Sequence, residues 1–494
     1  MLASDLCKYL FLDPPTRSQL RSGGLVVTSL TATTQAVRPG SCYVAIKGEN
    51  FDGHEHLAEV FAAGATLAVV EQPVAREFAD RCVRVANTHK ALAQLAQAFY
   101  CEPSRELNVV GVTGTNGKTT ITQLFSQVLE GVGVRTGVIG TLNIRDGNRI
   151  VPTCNTTPDA LTMAAEMRAM VANGVRTCAL EVSSVALDQG RSWGLDFDTT
   201  IFTNLTEDHL DYHGTMANYY VAKSKLFIQN AAFNGRAKTA IINGDDDYGR
   251  KLVELATGTA VNVITYAIDT PATVRAQHLQ MSAAGTTFSL LFGGQEYVCT
   301  IPLLGKFNVY NVLAVFAAAY VQGLTVEQII AALAQVHGAP GRMQLLQAAD
   351  KITGIVDYAH TPDGLEKVLS TLKQLERGRI ICVFGCGGDR DHGKRPLMAA
   401  IAVHLADVAI ITSDNPRSED PEQIVAEMVG QLAPQQYRLE LNRAKAIKLA
   451  VSLAQPGDVV LVAGKGHEDY QIIGSERLHF DDREVLAAAL QERF

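Results

Sequence analysis

The stretch VVGVTGTNGKTTITQLF, residues 109–125, constrains this chain more than any other. An apolar strand runs into a glycine-rich turn, and Lys118 and Thr119 then open an amphipathic helix. Glycines let backbone N–H groups converge on phosphate oxygens, and the helix N-terminus adds a favourable dipole. Lys118 is the residue to neutralise β- and γ-phosphates, and Thr119 the one to ligate Mg²⁺. The spacing departs from GxxxxGK[ST], because Val112 stands where the first glycine belongs. Read blandly, this is a glycine-rich turn with a solvated lysine. The strand before it and the helix after it are the context that nucleotide binding requires.

The same rhythm runs on through the chain. LNVVGVTG, TCALEVSS, TTIFTNLTEDH and TAIINGDDD are apolar strands that each end in a polar turn and lead into a helix. Strands alternating with helices imply a mainly parallel sheet covered on both faces. Residues 275–305 alternate around Gly-Gly turns and read as an antiparallel ribbon, followed by a helix over NVYNVLAVFAAAYVQGL. Glycine and proline cluster in HGAPGRM at 337–343, and beyond it strands and helices alternate again, with polar residues at the strands' carboxyl ends. Before about residue 105, short strands (CYVAIKG, TLAVVEQP) mix with alanine-rich helices. With about 100–200 residues per domain, 494 residues make roughly three domains. The predicted architecture is α/β. A small N-terminal α/β domain spans 1–105, a central P-loop mononucleotide-binding parallel sheet 106–337, and a Rossmann-like domain 338–494.

Composition excludes other classes. The net charge of −8 argues against a nucleic-acid binder but leaves room for a small anion bound by local donors. No apolar run reaches about 18 residues, so no membrane span is expected. MLASDLCKYLFLDPP lacks a basic start and a small-residue cleavage site, so it does not read as a signal peptide. The nine cysteines include no CxxC and sit mostly in apolar runs, as Cys178 and Cys382 do. Buried, reduced thiols and a cytoplasmic location are expected.

Around the loop, single residues stay ambiguous. Glu181, at the end of TCALEV, is either a metal-side carboxylate or a solvated turn residue. NLTEDHLDYHG packs Asp208, His209, Asp211 and His213 together, which reads as a metal cluster or an acidic loop with hydrogen-bonded histidines. Lys223 and Lys225 are two apart on a helix and so point to different faces; alone, each reads as a snorkelling surface lysine.

Together the motifs become specific. GTNGKTT, EVSS, NLTEDHLDYH, the Lys223 helix, GKFNVYN, GRM, DYAHTP, GCGGDRD, SDNPR and AGKGHED occur in this order over residues 107–470. The chain thereby resembles the Mur ligase family over nearly its whole length. The resemblance implies an ATP-dependent ligase that joins an amino acid to the D-glutamate of UDP-MurNAc-L-Ala-D-Glu in peptidoglycan precursor synthesis, through an acyl phosphate. It assigns Gly114, Thr115, Asn116, Gly117, Lys118, Thr119 and Thr120 to ATP, with Asn308, Asn311, Arg342 and Asp357 on the nucleotide side. Thr119, Glu181, His209 and Lys223, the last as N6-carboxylysine (a carbamate), are implied around Mg²⁺, with Lys118 and these acids and bases as catalytic groups. The first domain is implied to hold the UDP end. Thr34, Asn155, Thr156, Thr157, Ser183, Gln189 and Arg191 match positions that grip the muramoyl dipeptide. Arg390, Asp414, Asn415, Pro416, Arg417, Gly464 and Glu468 match the amino-acid site.

In the family, DNPR accompanies meso-diaminopimelate. A guanidinium pairs bidentately with the extra distal carboxylate, where it would repel the ammonium of lysine. The expected partners are therefore UDP-MurNAc-L-Ala-D-Glu and meso-diaminopimelate, with no nucleic acid or membrane, and a monomer is expected. Two positions depart from the family pattern: Val185 follows EVSS where histidine is usual, and Thr33-Thr34-Gln35 replaces an Asp-Ser-Arg triplet. A lysine-adding ligase shares the scaffold. A folylpolyglutamate synthase would lack DNPR and AGKGHED, and a regulatory module without turnover would lack metal-side or amine-site residues.

Overall fold

The computed structural model describes residues 1–10, 25–48, 51–153, 155–232, 238–259, 261–282, 285–347, 351–375, 378–430 and 432–492. Cys154, Glu49 and Asn50 lie outside the described residues. Among the described residues the strands fall into three main sheets and one hairpin.

The first sheet is four parallel strands in chain order, Ser29–Thr31, Ser41–Val44, Leu67–Val70 and Cys82–Arg84. Its two middle strands are buried on both faces, which is why they read as unbroken apolar runs. Helix Thr88–Phe99 packs on it, capped by the Asn87 side chain.

The second sheet has eleven strands. The phosphate-loop strand Asn108–Thr113 lies near its middle, between parallel strands Thr199–Phe202 and Thr177–Glu181. Successive side chains of a strand point to opposite faces. Val110 and Val112 accordingly pack with helices Lys118–Gly131 and Lys306–Val321, while Val109 packs with helix Met216–Ala232 on the other side. The expected antiparallel ribbon is present as Val274–Ser282, Gly285–Phe292 and Gln295–Ile301, which extend one edge.

The third sheet runs in the order Gln344–Gln347, Thr353–Asp357, Val459–Ala463, Ile380–Phe384, Val408–Ile411 and Arg438–Leu439. All its pairings are parallel except the first. Apolar residues cover both faces, so the polar carboxyl ends of these strands are left to line a cleft. Of the described cysteines, Cys7, Cys42, Cys178, Cys299, Cys382 and Cys386 are buried, Cys82 is half-buried and Cys101 exposed, and all are free thiols. No helix among the described residues is long and apolar enough to cross a membrane.

Candidate active site

Sheet register assembles the phosphate site. Val112 pairs with Glu181 on one neighbouring strand, and Thr113 pairs with Phe202 on the other. The loop after Thr113 is thus flanked by the Glu181 carboxylate and by Thr203 and Asn204. Asn204 Oδ1 accepts from Asn116 N at 3.0 Å, and Thr203 Oγ1 donates to Asn116 O at 2.6 Å. Gly114 has φ +145°, and a Cβ there would run into Thr203 Oγ1, so only glycine lets this turn close.

Two lysines meet on that loop. Lys118 Nζ donates to Gly114 O and Thr115 O, both at 2.8 Å, and Lys223 Nζ donates to the same Gly114 O at 2.8 Å. Lys223 is 1% exposed. This corrects the reading of Lys223 as a surface lysine: its face of the helix turns inward, onto the phosphate loop. Lys225 faces out and pairs with Asp188. Burial pushes the Lys223 ammonium well below the ordinary lysine range, Lys118 lowers it further, and Asp208 opposes. Desolvation lowers Lys118 as well, with Glu181 and Asp208 opposing and Arg342 adding.

Glu181 is wholly buried, not a solvated turn residue. Its carboxylate accepts from Thr119 Oγ1 at 2.8 Å, Thr141 N at 2.8 Å and Thr141 Oγ1 at 3.0 Å. The same network holds the residues expected to grip the dipeptide. Thr157 Oγ1 donates to Glu181 O at 2.8 Å and accepts from Ser183 N at 2.9 Å. Arg191 donates to Thr157 O and to Gln189 Oε1, both at 2.9 Å, and Thr141 Oγ1 lies 3.0 Å from Thr156 Oγ1. Asn155 is exposed beside them. Thr34 stands apart in the first domain, buried in the turn Thr34–Ala36, and no hydrogen bond links it to this network among the described residues.

The Asp208–His213 motif does not form a metal cluster. Among the described residues no group of three or more His, Cys, Asp or Glu side chains could hold an ion by itself. Only Asp211 and His213 lie on the short helix Leu210–His213; His209 is its N-cap, in a left-handed conformation, and Asp208 precedes it. Asp211 is exposed, and His213 is buried with its Nε2 at 2.9 Å from Ser184 Oγ. His209 stays at the site's rim. Its ring lies edge-on to Tyr219 at 6.2 Å, and Lys223 Nζ sits 4.5 Å from the centre of that same ring.

A cavity of about 440 Å³ opens beside the loop. Asn116, Gly117 and Thr120 line it with Asn308 and Asn311 from helix Lys306–Val321, and with Arg342, Asp357, Tyr358 and His360 from the third sheet's side. The Arg342 guanidinium lies 4.4 Å from the centre of the Tyr358 ring. Burial raises the Asp357 carboxyl, against Arg342 and the N–H groups of Met343 and Ala359.

The residues expected at the amino-acid site gather at the third sheet's strand ends. Asn415 Nδ2 donates to Glu468 Oε2 at 2.8 Å, and Asn415 N to Asp414 Oδ1 at 2.7 Å. Gly464 N donates to Asp357 O at 3.1 Å, joining this site to the nucleotide cavity. Arg417 Nη1 donates to Gly388 O at 2.7 Å, which ties the Pro416–Arg417 loop to the one carrying exposed Arg390. Burial and Asp414 raise the Glu468 carboxyl, and Lys465 and Asn415 oppose. Sequence reasoning passed over Lys465. It is fully buried, and its Nζ donates to Asn415 Oδ1 at 3.1 Å and Glu468 Oε2 at 3.2 Å. Its sequence signal was its place in AGKGHED, two residues past a buried strand.

Comparison with known proteins decides the family. A Mur ligase family catalytic domain matches residues 26–100, a Mur ligase middle domain 112–319, and a Mur ligase glutamate ligase domain 341–466. A relative from Bacillus cereus is 45% identical over 469 residues, 94% of each chain. This chain belongs to the Mur ligase family. The Bacillus cereus relative and one from Lactiplantibacillus plantarum, 45% identical over 94% of each chain, are both named UDP-N-acetylmuramoyl-L-alanyl-D-glutamate–2,6-diaminopimelate ligase. A solved structure of that name is 34% identical, with a TM-score of 0.69 over 94% of this chain and 95% of that one. A Mycobacterium tuberculosis folylpolyglutamate synthase shares the Mur ligase fold at 19% identity, with a TM-score of 0.62 over 75% of this chain and 90% of that one.

Proposed function

We propose that this chain is an ATP-dependent ligase adding meso-2,6-diaminopimelate to the D-glutamate of UDP-MurNAc-L-Ala-D-Glu. The observation that carries the choice of amino acid is the arrangement of opposite charges on the third sheet's loops. Arg390 and Arg417 sit on loops bonded to each other, and the Glu468 carboxylate is held nearby through Asn415. Cations suit carboxylates and an acid suits an ammonium, and diaminopimelate carries two of each.

Loop amides and Lys118 would hold the ATP phosphates, while Asn308, Asn311, Arg342 and Asp357 line the space for the nucleoside. Thr119 and Glu181, in contact at 2.8 Å, fit the hard oxygen donors that Mg²⁺ takes, with His209 at the rim. When bound, Mg²⁺ offsets the charge that gathers on a transferring phosphoryl group. Lys223 fits the carbamate. Burial, with Lys118 adding to it, disfavours the charged form of this amine; the neutral amine is the form that attacks CO₂, and carbamylation would set an anion beside Lys118. The glutamate side-chain carboxylate attacks the γ-phosphorus as the bond to ADP breaks. The amine nitrogen then attacks the acyl carbon, loses a proton, and phosphate leaves. Arg191, Thr157 and Ser183, bonded to one another around Glu181, would orient the dipeptide with its carboxylate toward the phosphate loop.

On this reading the enzyme works as a cytoplasmic monomer, without nucleic-acid or membrane partners. Buried free thiols such as Cys178 and Cys382 support a reducing compartment. The acyl-phosphate step is tested by labelling the glutamate side-chain carboxylate with heavy oxygen. The label is expected in the released phosphate; label retained wholly in the product and its starting material would contradict the mechanism.

A further inference from the structure

We propose that Arg395 is a positioning residue that locks together the loops carrying Arg390 and Arg417, and thereby sets the amine pocket's preference for a substrate with a distal carboxylate. The inference rests on the amine-site reading above. Arg395 lies in the first turn of helix Lys394–Leu405 and is 0% exposed. Its Nη1 donates to Glu427 Oε2 at 2.6 Å; its Nη2 donates to Glu419 Oε1 at 2.9 Å and to Gly387 O at 3.3 Å.

Those partners are the frame of the two loops. Glu419 Oε1 also accepts from Asp389 N, beside Arg390. The Asp389 carboxylate in turn accepts from Ser418 Oγ at 2.6 Å and Ser418 N at 3.2 Å, beside Arg417. Gly388 N donates to Asn415 O at 2.9 Å, and a Cβ at Gly388 would run into Pro416 O. The two backbones therefore touch, and each guanidinium leaves from a cross-bonded segment. Asp389 and Arg417 both hold left-handed φ of 53°, a conformation a non-glycine residue keeps only where its surroundings over-determine it.

A buried ion pair is weak as a source of stability, since apolar residues of similar volume often serve as well. Here the guanidinium spans two carboxylates and a carbonyl from separate elements, which a lysine ammonium on one flexible stem does not reproduce. What Arg395 supplies is geometry. Arg395 is wholly buried, so its effect reaches the reaction through Arg390 and Arg417.

The test compares the full-length wild type with R395K and E419Q. The KM values for diaminopimelate, ATP and UDP-MurNAc-L-Ala-D-Glu are measured for each, with kcat/KM for lysine and a thermal unfolding curve. R395K is expected to raise the KM for diaminopimelate about tenfold, leaving the other two KM values within about twofold, because only the amine loops lose their frame. The diaminopimelate-over-lysine ratio of kcat/KM falls with it, and E419Q moves the same way by less. Folded variants with an unchanged ratio overturn the proposal, as does an equal loss for all three substrates. If R395K does not fold, E419Q, on a half-buried residue, decides alone. A wild type that uses lysine and not diaminopimelate would instead overturn the amine-site reading itself.

Discussion

At the scale of single residues, the site depends on charged groups kept where isolated residues of their kind are rarely found. Lys223 is the sharpest case. Lys223→Ala is expected to abolish turnover and to regain part of it with an added short-chain carboxylate, measured as ADP release; full activity without rescue would remove the carbamate. Asp245, which lines the nucleotide cavity, makes a second case. Burial alone would raise its carboxyl. The Thr270 hydroxyl, the N–H groups of Asp269 and Ile268, and the Tyr310 hydroxyl outweigh burial and hold it down to about 2. A carboxyl lowered in the folded state stabilises above its unfolded value near about 4, and that contribution is lost as pH falls toward about 2. Asp245→Asn should therefore lower stability at neutral pH and flatten the acid limb of a denaturant-midpoint profile. An acid limb as steep as the wild type's would contradict this.

At the scale of elements, the phosphate loop is the part that must be shaped correctly. Gly114→Ala forces a Cβ onto Thr203 Oγ1 at positive φ, strain of about 1–3 kcal/mol. ADP affinity by calorimetry should fall by about tenfold or more, since 1.4 kcal/mol is a factor of ten; unchanged affinity would show that the loop does not hold phosphate. The loop itself was legible in sequence, because local chemistry suffices: an apolar strand, glycines and a helix start. The strands around it, the antiparallel ribbon and the third sheet were legible for the same reason, through their runs and turns. What the loop is bracketed by was not. Thr203 and Asn204 arrive through parallel pairing of Thr113 with Phe202, a register between strands far apart in the chain. Taken alone, Lys223 reads as a surface cation, and Arg395 and Lys465 drew no notice, because burial of a charge is decided by partners that only the fold brings together. The Asp208–His213 run left two readings open, and the contact of His213 with Ser184 fits the loop with hydrogen-bonded histidines, since closeness in sequence did not bring the four side chains together.

At the scale of the molecule, the cleft belongs to two sheets at once. Asp363, at the start of helix Pro362–Lys373, accepts from Asn116 Nδ2 on the phosphate loop at 3.1 Å and from Thr206 Oγ1 at 3.3 Å. These bonds draw the third sheet's domain onto the nucleotide site. Each contributes about 1 kcal/mol. Asp363→Ala should shift small-angle scattering toward a more open particle and raise the KM for the amine more than the affinity for ADP changes. Scattering and KM indistinguishable from the wild type would show that the contact does not govern closure. Net charge at this scale is −8, so anionic substrates are met by a few cations set in the cleft rather than by a basic surface.

The central claim, that this cleft joins diaminopimelate to the glutamate of the muramoyl dipeptide, is tested most directly by weighing the product. The purified protein is incubated with ATP, Mg²⁺ and UDP-MurNAc-L-Ala-D-Glu, together with either meso-diaminopimelate or lysine. A mass gain of one diaminopimelate residue is expected, dependent on ATP and absent in Lys118→Ala. A gain with lysine and none with diaminopimelate would contradict it.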